Sequence, residues 1–191
     1  MNEIYNSNGL NALRDEAYRH ALNAGFHADG HTEEHYLCLI ITELMEAVEA
    51  DRNNRRCTSD INEIYDTEDD TAFQSIFQER VKDTIEDELA DAAIRLLDFA
   101  GYMGLTIIKL TKLALSNIFW PDEFTDWAFI AVQCIVGIPK RKTTTGKEIA
   151  LSEAIIWIYS AAKRLNFDIE KHIMAKMRYN RMRPRMHGKR Y

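Results

Sequence analysis

Apolar residues recur at three- and four-residue intervals along most of this chain, the spacing that gives an α-helix one buried stripe, and strand-like alternation is scarce. The pattern predicts an all-α fold. "LNALRDEAYRHALNAG" reads as a first helix closed by Gly25. "EEHYLCLIITELMEAVEA" reads as a second, with Thr32 as its cap and Glu33 and Glu34 in its positive first turn. Residues 53–72 are polar and weakly periodic, which suits a loop or short local structure. A third helix is expected from Phe73 to near Gly104, a fourth over "LTIIKLTKLALSNIF", and a fifth over "DEFTDWAFIAVQCIVGI", ended by Pro139. Thr145 with Glu148 predicts a capping box opening a sixth, "KEIALSEAIIWIYSAAKRL", and Asp168 is the candidate cap of the last.

Two of these helices carry acids where apolar residues are expected. On the second, Leu37, Ile40, Ile41, Leu44 and Val48 form the main stripe and most other faces are apolar too, yet Glu43 and Glu46 share one of those faces. On the third, Glu88 and Asp91 repeat the spacing among Leu89, Ala90, Ala92 and Ala93. Antiparallel packing of the two helices would bring all four carboxylates together. Like charges in a partly dry site must take up protons or a cation. Mg²⁺, with Mn²⁺ as a substitute, is the cation that oxygen ligands of this kind commonly hold against a phosphate. No Glu-x-x-His accompanies the acids, which argues against a di-iron bundle. The plain alternative is two solvated helix faces with Lys or Arg partners. Glu49, a turn further on, suits an ordinary surface position.

Composition narrows the class. The chain has 191 residues, 46% of them hydrophobic, enough for one sizeable core. Cys38, Cys57 and Cys134 form no CxxC pair, as expected of a reduced compartment. No stretch approaches the roughly 20 apolar residues of a membrane span, and the first residues lack a basic region followed by an apolar run. A cytoplasmic protein without membrane contact is expected. Residues 171–191 hold eight Lys or Arg and no acid, leaving 16 basic residues against 30 acids before them. An acidic body repels a phosphate backbone at range, so nucleic acid is a poor partner, whereas the basic end suits a local anion or offsets the acidic body.

The halves of the chain also resemble each other. "ELADAAIRLLDFAGYMGLTI" lies over "ALSEAIIWIYSAAKRLNFDI" at an offset of 62, and the alignment sets Gly104 opposite Asn166, two residue types that tolerate a left-handed helix end. "LIITE" lies over "FIAVQ" at an offset of 90, so the first half carries 28 extra residues, about the length of the polar stretch after Asp51. In the second half Gln133, Val136 and Ala150 replace Glu43, Glu46 and Glu88, and only Glu153 matches Asp91. This suggests one domain over 1–191, with a catalytic half over about 26–118, a degenerate half over about 119–180 and a basic tail over 181–191.

"ELME" and "ELAD", followed by "LLDFAGYMGLTI", resemble the MazG-like all-α nucleotide pyrophosphohydrolase superfamily, and Lys176, Asn180 and Arg183 resemble the KxxxNxxR pattern of its phage and bacterial members. The 41 residues between Glu46 and Glu88 exceed the usual connection, and removing the 28 extra ones leaves 13. The resemblance implies Mg²⁺-dependent hydrolysis of an NTP or dNTP to the monophosphate and pyrophosphate by a homo-oligomeric helical bundle. It implies Glu43, Glu46, Glu88 and Asp91 as metal ligands, Glu43 or Glu46 as proton acceptor, and Lys176, Asn180 and Arg183 as triphosphate contacts. Arg95 suits a phosphate contact or a salt bridge. Phe26, His31, His35 and Tyr36 suit a base pocket or ordinary packing. Trp120, Trp127 and Trp157 are expected in core or subunit packing. The class-level alternative is a non-catalytic helical module that binds a nucleotide or a protein.

Overall fold

Most helices in this chain begin at a short polar side chain that satisfies one of the first free backbone N–H groups. A computed structural model describes residues 7–109 and 121–188. Helix α1 (Ser7–Ala24) stops at Gly25, whose φ of +91° closes it. The Thr32 side chain accepts from the His35 amide and opens α2 (Glu33–Arg52). Asp168 accepts from the Lys171 amide and opens the last α-helix, Ile169–Arg181. The helix Thr144–Leu165 departs from expectation: Thr143, not Thr145, is its cap, and Glu148 instead accepts from the Thr106 amide. Asn166 ends that helix at φ 60°, and Gly104 follows the helix Ile85–Tyr102 at φ +64°, so both left-handed ends fall where the halves align.

The expected unbroken third helix is two helices. The polar stretch folds into α3 (Ile61–Tyr65) and α4 (Asp70–Arg80), capped by Asp60 and Asp69, and α5 (Ile85–Tyr102) begins afresh. Between them Asp83 sits at φ +63°, and the Thr84 hydroxyl donates to the Val81 carbonyl while accepting from the Asp87 amide. Apolar spacing is helical on both sides of the break, so periodicity alone runs through it. Ile61, Ile64, Phe73, Phe77 and Val81 form a small second core with Ala175 and Tyr179. This stretch therefore buttresses the last helix, and Arg178 ties it down by donating to the Tyr65 and Thr67 carbonyls and to Asp70.

Helices α2 and α5 lie antiparallel. Tyr36 packs on Phe99 and Tyr102 at one end, and at the other the Arg55 carbonyl accepts from the Ile85 amide. Helices α6 (Phe124–Gly137) and α7 (Thr144–Leu165) make a second hairpin, α6 against α2 and α7 against α5, in which Trp127 is buried and donates to the Trp157 carbonyl. Helices α1 and α8 (Ile169–Arg181) also pack on α5. Among the described residues four helices thus surround α5, and its Leu89, Ala92, Leu96, Phe99 and Ala100 are all fully buried. Each large apolar side chain so buried contributes about 1.5–3 kcal/mol. After α5 the chain is irregular rather than helical over 105–109. Asn11 bonds both the amide and the carbonyl of Ile107, and Ser152 accepts from the Ile108 amide. The rest of the expected fourth helix, and Trp120, lie outside the described residues. Among those residues no helix is long and apolar enough to cross a membrane.

Candidate metal centre and adjoining cavity

Because four helices enclose α5, the acids of its first turns are buried whatever their chemistry. Glu43 and Glu46 of α2 and Glu88 of α5 each offer a carboxylate oxygen, all within 4.8 Å of one another. Glu43 and Glu88 are 3% and 4% exposed, whereas Glu46 is exposed at the rim. Burial, with the charges of Asp87, Asp91 and Glu43, pushes the Glu88 carboxyl up to about 9 against the opposing pull of Lys176. In the absence of a cation Glu88 therefore keeps its proton at neutral pH. An oxygen-rich cluster that must otherwise hold a proton fits a hard divalent cation, whose charge replaces that proton. Arg95, one turn beyond Asp91, donates from Nε to Glu43 Oε1 at 2.6 Å, the salt bridge that was one of the two roles open to it. Glu49 stands apart on the surface with Arg52 and Asn53.

Asp91, the fourth predicted ligand, lies 2.8 Å from the Lys176 ammonium. Lys176 is 4% exposed and also donates to both oxygens of Asp87, each at 2.7 Å. Burial alone disfavours its charge, but Asp91 and Asp87 outweigh burial and hold the ammonium protonated. Lys176 thus turns inward as a counter-charge to the acids, away from Asn180 and Arg183 with which it was grouped. Asp83 and Asp87 form a second acidic group with Glu88, again within 4.8 Å. Sequence reasoning passed over both. Asp87 is next to Glu88 but about 100° round the helix, so only the crossing of α8 over α5 revealed its burial.

Beside Asp91 a cavity of about 490 Å³ opens between α1, α2, α5 and α8. Asp91, Arg95, Asn180 and Arg183 line it, joined by Arg181 and by Arg185 from the short 3₁₀ turn Arg185–Gly188. Arg185 lies so close over Gly25 that a Cβ there would meet its Nε at 2.8 Å. Rings line it as well: Phe26, His31, His35 and Tyr36 all reach the cavity, and the His31 and His35 rings stack with centroids 4.0 Å apart. Asp98 also lines the cavity and bonds His27 at 2.7 Å. Neither Asp98 nor His27 was singled out from the sequence. Asp98 does fall on the face of Asp91 and Arg95, three residues beyond the arginine, and that spacing was the available signal.

Protein-family models, curated proteins and solved structures were all compared with the chain, and none matches. The site therefore stands on its own geometry: an all-α protein with buried acidic clusters that could hold a metal ion.

Proposed function

We propose that this protein is a Mg²⁺-dependent nucleoside triphosphate pyrophosphohydrolase, releasing a monophosphate and pyrophosphate from an NTP or dNTP. One observation carries the reading: a cluster of three carboxylates borders, through Asp91, a cavity lined by both arginines and flat rings. The MazG-like motifs, ELME and ELAD, supply exactly those acids and support the same reading, as does a fold of paired antiparallel helices.

Glu43, Glu46 and Glu88 would hold the ion, with Asp91 at the boundary between ion and cavity. When bound, the cation would neutralise phosphate oxygens and acidify a water. Glu46, exposed at the rim, is the better placed proton acceptor, since Glu43 Oε1 already holds Arg95. Arg183 and Asn180 would orient the phosphate chain, Arg183 by its planar fork. Lys176 would act one layer back, keeping Asp87 and Asp91 ionised beside the cluster. Gln133, Val136 and Ala150 stand where the second hairpin would need acids, which supports one active site per chain in a degenerate duplication. A homo-oligomer follows from the family resemblance alone.

A panel of NTPs and dNTPs with Mg²⁺, scored separately for pyrophosphate and monophosphate, tests the reaction. Glu46→Gln is expected to abolish release while leaving the melting temperature within about 2 °C, because an exposed side chain contributes little to stability. Full activity in that variant would remove Glu46 from the site. The second reading, a non-catalytic nucleotide-binding module, draws on the ion pairs of Glu43 with Arg95 and Asp91 with Lys176, which already compensate much of the negative charge. Tight nucleotide binding with no turnover across the panel would favour it.

A further inference from the structure

Glu88, Asp91, Arg95, Asp98 and Tyr102 recur every three or four residues along one face of α5. Asp98 lies seven positions beyond Asp91, an axial distance of about 10 Å. That is the reach of a nucleoside monophosphate unit from its phosphate to the outer edge of its base. A nucleotide with its phosphates at Asp91 and Arg95 and its base along α5 therefore brings that edge to Asp98. The antiparallel start of α2 places His35 and Tyr36 at the same level, where flat rings can stack on a base.

Asp98 is held in a fixed orientation. Its Oδ1 lies 2.7 Å from His27 Nε2, His27 Nδ1 lies 3.1 Å from the Tyr36 hydroxyl, and the His27 ring stacks on Tyr102 with centroids 4.8 Å apart. One consistent arrangement has the Tyr36 hydroxyl donating to His27 Nδ1 and His27 Nε2–H donating to Asp98. The second oxygen, Oδ2, has no hydrogen-bond partner among the described residues. An ionised carboxylate accepts only. It pairs with the exocyclic amino group of cytosine or adenine and repels the carbonyl oxygen that uracil, thymine or hypoxanthine carries at the same place. Burial raises the Asp98 carboxyl above its ordinary value, and the hydrogen bond and charge of His27, with Arg95, offset part of that rise.

We propose that Asp98 sets base specificity, admitting nucleotides whose base edge bears an amino group and rejecting their oxo counterparts. This rests on the nucleotide reading above.

The test uses the full chain with Mg²⁺ and α,β-methylene analogues, whose α–β bond is not cleaved, in two matched pairs: dCTP against dUTP and dATP against dITP. Calorimetric binding is expected to favour the amino member of each pair by about tenfold to a hundredfold, the range for one hydrogen bond to a charged group. Asp98→Asn, whose amide can also donate, is expected to narrow each gap to about threefold or less. Equal affinities within the pairs, or a gap that persists in a folded Asp98→Asn protein, overturn the proposal. The wild-type comparison alone decides it if that variant does not fold. Should all four analogues bind alike, the nucleotide reading stands and only the base assignment falls. Should none bind, both fall.

Discussion

Replacing Lys176 with Met removes from the interior one charge, an ammonium 5.8 Å from the centre of the Phe77 ring, while keeping an unbranched side chain. The consequence follows from what the ammonium holds. Asp87 is 1% exposed and has both oxygens on Lys176, and Asp91 has one oxygen on it. After the substitution Asp87 keeps only the Asp83 amide as a donor to Oδ2, at 3.0 Å. A buried pair broken on one side costs about 3–5 kcal/mol, because the remaining charge is left in low dielectric. For a chain of this size that corresponds to a fall in melting temperature of about 6–20 °C. The loss is expected to deepen as pH rises. Asp87 titrates in the unfolded chain near 3.8 but is held above that by burial when folded, so folding without Lys176 favours a proton that higher pH withdraws. Scanning calorimetry at pH 5 and pH 8 reads both effects. The double variant Lys176→Met, Asp87→Asn should regain at least about 2 kcal/mol, since it removes the stranded charge as well. A single variant within about 1 kcal/mol of wild type, or a loss equal at both pH values, would refute the buried counter-charge.

Glu88 supplies a related pH dependence. Its carboxyl is at about 9 when folded against an ordinary 4.5, so the stability Glu88 contributes is fully present below about pH 4.5 and is lost as pH rises towards 9. In chelator, Glu88→Gln should flatten that decline, and Mg²⁺ should flatten it in wild type only. Parallel melting curves from pH 6 to 9 for the two proteins would contradict the raised carboxyl. Gly101 permits the contact between α1 and α5, since a Cβ there would meet Tyr18 Cβ at 2.5 Å. Gly101→Ala is expected to destabilise by about 1–3 kcal/mol through overpacking, measured by urea unfolding. An unchanged midpoint would show that α1 can shift freely.

The helices with their caps at Thr32 and Asp168, the acids set among apolar neighbours, and the left-handed ends at Gly104 and Asn166 were legible in the chain, because each is a local property of spacing and residue type. The break at Asp83 was not, since helical periodicity continues on both sides of it. Nor was the inward turn of Lys176. KxxxNxxR places Lys176, Asn180 and Arg183 on one side of a helix and its continuation, and only the packing of α8 on α5 buries the lysine while leaving the other two at the cavity. The aromatic lining depended likewise on tertiary structure: His31, His35 and Tyr36 read equally well as packing until α1 and α8 closed a space around them. Sequence by itself determined which residues carry charge and which helices they ride on. Which charges meet a cation, a lysine or open space was decided by how four helices close around α5, because burial and counter-charge depend on distances between segments far apart in the chain.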